Sequence, residues 1–255
     1  MNDYGRGVVR VGGADAASFL QGLLTNDVLA LAQGGARYAA LLSPQGKILF
    51  DFLVLADADG FLLDCPREQA AALAARLGFY KLRAKVVVAD VSGELEVEVD
   101  ASPGGIAYRD PRHEGLGWRR MAMRGTAPDA AAYDARRIGL GIPAGGRDFA
   151  YGDTFPHEAN LDRLHGIDFN KGCYVGQEIV SRVEHRGLAR KRIVPLSYDG
   201  AAPRQGADVM AGAVPLGVMG TSTAGHGLAL VRLDRLAGTG GEAQVEGVAV
   251  RLLER

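Results

Sequence analysis

The chain is poor in several features that define whole classes of protein. Two cysteines in 255 residues are too few for a disulfide framework, and Cys65 and Cys173 lie far apart in unrelated local patterns, which fits a reducing compartment. Net charge is scarce: 29 basic side chains stand against 30 acidic ones. No global field therefore draws in a polyanion, and nucleic-acid or membrane-surface binding requires a local basic patch. None is evident before residue 182, so no membrane partner and no direct nucleic-acid partner is expected. No window approaches the roughly 18 uninterrupted apolar residues of a membrane-spanning helix. The opening Met1-Asn2-Asp3-Tyr4-Gly5-Arg6 has an early acid, no apolar stretch behind it and nothing of an Arg-rich import peptide, so a cytoplasmic protein is expected. Gly-rich phosphate loops are missing, which disfavours a nucleotide-driven motor or a dehydrogenase. CxxC, HxxxH and HExxH spacings are missing too, so no metal site is expected although His157, His165 and His185 flank Cys173.

What is present is an ordinary folded chain, 47% apolar, long enough for one large or two to three small domains. Ala16, Phe19, Leu20 and Leu23 recur at helical spacing and predict a helix over 16–24, ended by Thr25-Asn26-Asp27. Apolar runs at 48–55 and 61–63, joined by Asp57-Ala58-Asp59-Gly60, predict a strand pair. Pro66, Glu68 and the stripe Ala70, Leu73, Ala74, Leu77 predict a second helix closed by Gly78. Residues 86–88 read as a buried strand, and 94–99 alternate strictly, as a strand with one wet face does. Thr126 and Asp129 have the spacing of a capping box for a third helix through Ile138. Beyond Arg190 the texture changes: residues 191–255 hold eleven glycines, three prolines and one aromatic, Tyr198. Short strands between turns predict a small β-barrel or sandwich appended to an α+β body.

Chemistry concentrates in residues 155–192. Lys171-Gly172-Cys173-Tyr174-Val175-Gly176-Gln177-Glu178 sets a lone cysteine between glycines, two residues after a lysine and just before a helix. A cation and a helix N-terminus stabilise a thiolate, so Cys173 reads as a reactive thiol with Lys171 as its electrostatic activator, or equally as a small packed thiol. Cys65, without a nearby cation, reads as structural. Pairing of Cys173 with His165 or His185 in a thiol hydrolase stays open, because such pairs meet only in space. Arg182, Arg186, Arg190, Lys191 and Arg192 form the one basic cluster, suited to a polyanionic tail or to a solvated face of ordinary ion pairs.

The segment Lys171 to Glu178 resembles the KGCYxGQE signature of the YgfZ folate-binding proteins, relatives of the glycine-cleavage T protein that act in iron–sulfur cluster biogenesis. Further segments resemble the same family: Phe19 to Val28, Ser43-Pro44-Gln45-Gly46-Lys47-Ile48, Arg137 through Pro143, Pro156 to Asp162, and His185-Arg186-Gly187. The resemblance implies an α+β fold, a three-subdomain T-protein-like ring around a central channel. Two interleaved α+β subdomains would occupy residues 1–190 and the barrel 191–255.

It also implies tetrahydrofolate, or a one-carbon derivative, as cofactor. The family's GxIxDDL strand appears as Gly46 to Phe52, keeping Asp51 but with Phe50 in place of the first acid, and its EAxL segment is Glu158-Ala159-Asn160-Leu161. Asp51 and Glu158 would accept the pterin N–H groups, with Tyr174 and Gln177 of the signature beside them. The implied function is a folate-dependent accessory factor for iron–sulfur cluster assembly or repair. Its partners would be iron–sulfur proteins or the assembly machinery, with effects on cluster enzymes such as those that thiolate tRNA. The alternatives are a folate-dependent aminomethyltransferase, whose true members are longer and lack the cysteine signature, and a folate-binding scaffold without chemistry.

Overall fold

Near-continuous apolar runs in the first 65 residues demand a sheet covered on both faces. The computed structural model, which describes residues 5–99, 101–123, 130–187, 189–240 and 242–253, contains one. It is assembled from β1 (Arg6–Gly12), β2 (Ala36–Leu42), β3 (Ile48–Asp57), β4 (Gly60–Pro66) and β5 (Val87–Asp90), in the order β2-β3-β4-β1-β5 with antiparallel neighbours. The side-chain period of two splits each strand between two cores. Val9, Val11, Ala39, Leu41 and Leu63 face one core, shared with α1 (Ala16–Gln21) and α2 (Ala70–Tyr80), while Val8, Tyr38, Ala40, Leu42 and Leu62 face the other.

The second core also takes Val97, Tyr108 and Met121 from a smaller sheet. Its strands are β6 (Leu95–Val99), β7 (Ile106–Arg109) and β8 (Trp118–Met123), in the order β6-β8-β7, followed by α3 (Ala130–Gly139). Thr126 and Asp129, the expected capping box, lie outside the described residues. After α4 (Gln177–Arg186) the chain enters β9 (Lys191–Tyr198), β10 (Asp208–Ala211), β11 (Val214–Thr223) and β12 (His226–Arg232). A single turn, α5 (Leu233–Leu236), leads to β13 (Glu242–Val245) and β14 (Val248–Leu252). These six strands close into a barrel in the order β10-β11-β12-β9-β14-β13, the pairing of β10 with β13 completing the ring.

Local rules fail at a few places, each for a visible reason. The first helix stops at Gln21 because Leu24 leaves it to bridge Leu41 of β2. Gly78 does not end α2, which runs on to Tyr80; an interior glycine costs a helix only about 1 kcal/mol. The run 86–88 is not a buried strand: β5 is the outer strand of its sheet, and Val87 is 67% exposed. On β6 the expected wet face holds Glu98, which is buried because Arg120 pairs with it across the ladder from β8.

Two buried arginines bolt the layers together. Arg119 on β8 reaches Asp64 of β4 at 2.7 Å and Asp110 at 2.8 Å, and also donates to the Tyr133 hydroxyl on α3. Arg6 and Tyr108 complete the shell of Asp64, and Arg112 that of Asp110. Arg137 on α3 bonds Asp148 at 2.8 Å and the Thr221 hydroxyl at 3.1 Å, fastening the body to the barrel.

Burial alone would raise both Asp64 and Asp110; Arg6 and Arg119 around the first, and Arg112 and Arg119 around the second, outweigh it and hold both carboxyls below the usual range. Because the folded-state values lie below the unfolded one, this stabilisation is complete above about pH 4 and is lost as acid protonates the pair. Arg119→Met leaves two buried carboxylates short of a shared cation. It is expected to cost about 3–5 kcal/mol in urea unfolding and to move the acid-unfolding midpoint upward.

Candidate functional site

The segment leading to the cysteine signature is irregular, so its shape depends on bonds to distant elements. Thr25, just past α1, donates through Oγ1 to the Gly166 carbonyl (2.7 Å) and accepts the Ala40 N–H (2.9 Å). Asn26 donates from Nδ2 to the carbonyls of Tyr38 and His165 at 2.7 and 2.6 Å. Lys171 closes the clasp: Nζ donates to the carbonyls of Gln21, Leu24 and Asn26 at 2.8, 2.5 and 2.9 Å. Asp168 turns the chain by accepting the N–H groups of Asn170 and Lys171. On the far side of the loop, Gly176 (φ 83°) lies against the β2–β3 turn so closely that a Cβ there would sit 2.7 Å from the Ser43 carbonyl. Gly46 in that turn (φ 77°) is equally tight against Ile179 of α4.

Between these anchors the chain presents one thiol. Cys173 is exposed, next to exposed Gly172. Tyr174 turns inward and is only 8% exposed, in the core with Leu42 and Val180, and burial pushes its hydroxyl up to about 12. Gln177, the first residue of α4, accepts the Tyr174 N–H at 3.2 Å. Lys171 gives all three of its ammonium protons to carbonyls, so its hydrogen bonds build the loop; burial, countered by Asp27 and Asp168, pushes it down to about 8. Cys65 is fully buried on β4, and desolvation drives its thiol up to about 12, leaving it inert.

The two carboxylates expected to hold a pterin are placed very differently. Asp51 is buried, its Oδ2 accepting from the Tyr38 hydroxyl at 2.9 Å and its Oδ1 from the Tyr151 hydroxyl at 2.5 Å. Burial and the Asp51 charge hold both phenols far above their ordinary value, so both remain donors. The backbone roofs the group, since a Cβ on Gly145 would lie 2.5 Å from Oδ1. Glu158 is half-buried and takes the Phe155 N–H on Oε2 at 2.9 Å. As arranged, the residues do not fit a pterin gripped by two carboxylates; Glu158 alone faces outward enough to meet one.

Among the described residues, His157, Asp162 and Glu184 bring possible ligand atoms within 4.8 Å of one another. They have partners within the protein: His157 Nε2 lies 3.0 Å from Glu184, and Arg192 holds both oxygens of Asp162. Nδ1 of His157 is buried with no hydrogen-bond partner among the described residues. A cavity of about 510 Å³ opens where the small sheet, the 160–165 segment and the barrel meet, lined by Arg112, His113, Arg163, His165, Ile193 and Leu253 among others. None of the expected site residues lines it. Sequence reasoning missed Thr25, Asn26, Tyr38 and Tyr151, none of which carries a local signal.

Comparison with known proteins defines the class. Residues 5–99 match the GCVT N-terminal domain and residues 190–254 the CAF17 C-terminal β-barrel domain. The crystal structure of glycine cleavage system aminomethyltransferase T from Bartonella henselae superposes with a TM-score of 0.79 at 20% identity, covering 98% of this chain and 83% of that one, so the fold is T-protein-like. The family follows from closer relatives: the chain belongs to that of the iron–sulfur cluster assembly factor IBA57.

It is 36% identical to the Mus musculus member over 92% of its own length and 77% of the relative's, and 33% identical to the Homo sapiens member over 97% and 81%. A Mycosarcoma maydis homologue is 38% identical over 76% of this chain, which spans only 55% of that longer relative. The YgfZ resemblance thus points to a neighbouring family. The expected cytoplasmic location is overturned, since these relatives and the one from Neurospora crassa are all named as mitochondrial.

Gly176→Ala should cost roughly 1–3 kcal/mol in thermal unfolding, because it combines positive φ with a backbone clash. Gly172→Ala, with nothing within 4 Å, should leave stability nearly unchanged. Asp51→Asn removes the charge and leaves one acceptor oxygen for two hydroxyl donors, and a loss of about 1–3 kcal/mol is expected in the same measurement.

Proposed function

We propose that the protein is an iron–sulfur cluster assembly factor that meets its cargo at Cys173. One observation carries the reading: the accessible thiol sits on a loop fixed at both ends, by the Thr25–Asn26–Lys171 clasp and by the Gly46–Gly176 contact. A cluster needs about four protein ligands, and this surface offers one thiol. The remaining ligands come from a partner iron–sulfur protein, so the cluster is shared between two chains during transfer. The residues of this chain hold the thiol outward and keep the loop from collapsing onto it. Loss of the protein then lowers the output of enzymes that consume such clusters, tRNA-thiolating enzymes among them.

Tetrahydrofolate takes no step in this reading, because Asp51 is engaged by Tyr38 and Tyr151; the aminomethyltransferase alternative loses the same carboxylate. Titration with tetrahydrofolate tests the point. Affinity resting on Glu158 disappears in Glu158→Gln and survives in Asp51→Asn, whereas loss in both would restore the paired-carboxylate site.

The deciding experiment is complementation of a cluster-enzyme defect. Cys173→Ser should fold with an unchanged melting temperature and fail to complement, and full complementation would sink the thiol role. As a check on the premise, N-ethylmaleimide should modify Cys173 in the native protein and spare Cys65.

A further inference from the structure

Membrane-surface binding requires a local basic patch, and the structure has one well before residue 182. Residues 76–87 carry Arg76, Lys81, Arg83 and Lys85 and no acid, and all four cations are exposed. Among the described residues none of them forms an ion pair; the one bond from their side chains runs from Lys81 Nζ to the Val86 carbonyl at 3.3 Å. Elsewhere the exposed cations are mixed: Arg186, Arg190 and Lys191 are also exposed, but among the described residues no large exposed apolar side chain flanks them. In the cluster expected at 182–192, Arg182 is bonded to Glu178 and Arg192 is buried against Asp162.

The same segment exposes large apolar side chains. Phe79 is 74%, Leu82 88% and Val87 67% exposed. Tyr80, Ala84 and Val86 point the other way, into the core beneath α2, and anchor the turn. Its apex is Leu82, held at φ 41°, a conformation that leucine rarely adopts, and the Ala84 N–H closes the bend onto the Lys81 carbonyl. The acids that border the patch are occupied: Asp15 caps the Lys85 backbone N–H, and Asp90 accepts from Ser92.

We propose that this convex turn, from the end of α2 to β5, docks on an anionic lipid surface. Unpaired cations surround an apolar apex, the composition that lies at the boundary between charged headgroups and acyl chains. A nucleic-acid backbone would use the cations but not Leu82 or Val87. No helix among the described residues is long and apolar enough to cross a membrane, so the contact is peripheral. Its test does not depend on the role of Cys173.

The experiment is co-sedimentation of the full chain with vesicles of phosphatidylglycerol and phosphatidylcholine, against vesicles of phosphatidylcholine alone. Binding should be confined to the anionic vesicles and weaken in high salt, which screens exposed charge. Lys81→Gln with Arg83→Gln should weaken it roughly 30-fold. Leu82→Asn, which suits the left-handed backbone while removing the apolar apex, should weaken it about 10-fold or more. Melting temperatures should match the parent in both variants. Absence of binding, equal binding to neutral vesicles, or binding unchanged in both variants would overturn the proposal. So would tighter, variant-sensitive binding to a single-stranded RNA probe, or variant-sensitive dimerisation of the chain without lipid.

Discussion

The ammonium group of Lys171 is the point on which the reactive end of the molecule depends. The last turn of a helix leaves carbonyls without partners, and α1 is short, with the chain bending sharply beyond it. Lys171 satisfies Gln21, Leu24 and Asn26 at once, and in doing so draws the loop that follows onto the first sheet. Thr25 and Asn26, from the same bend, fasten the stretch just before it. A short irregular segment thereby gains the rigidity that a helix or strand would otherwise provide.

The body behind this loop is stiff for a related reason. Its first sheet is covered on both faces, and the layers are joined by guanidinium groups that donate to carboxylates, hydroxyls and a carbonyl. Such networks discriminate between one packing and its near alternatives, because a half-satisfied buried charge is costly. Arg119 joins the two sheets of the body and Arg137 joins α3 to the barrel. Movement between the body and the barrel would have to break the contacts of Thr221 to both Arg137 and Asp148.

Legibility in the sequence followed the range of the interaction. The β3–β4 hairpin was readable because Asp57 to Gly60 carries its own turn chemistry, and the barrel because glycine density is a local property. The outline of α2 was readable from Leu73 and Leu77, though not its end. The structural role of Lys171 carries no local signal, since the carbonyls it bonds lie 145 to 150 residues away. The tyrosines that engage Asp51 come from 13 positions before it and 100 after it, a pairing with no local pattern. The 76–87 patch escaped notice because its cations alternate with apolar residues, so it reads as the margin of an amphipathic helix until exposures are known.

The inaccessibility of Cys65 has a consequence for electron counting. A protein with two reachable thiols can complete a two-electron oxidation within itself by closing a disulfide. Here one sulfur is sealed inside β4 and the other stands in solvent, so the folded chain cannot close a disulfide of its own. Oxidation at Cys173 either halts at the sulfenic acid or is finished by a thiol from another molecule. The smallest unit able to close a disulfide is therefore an encounter between two molecules.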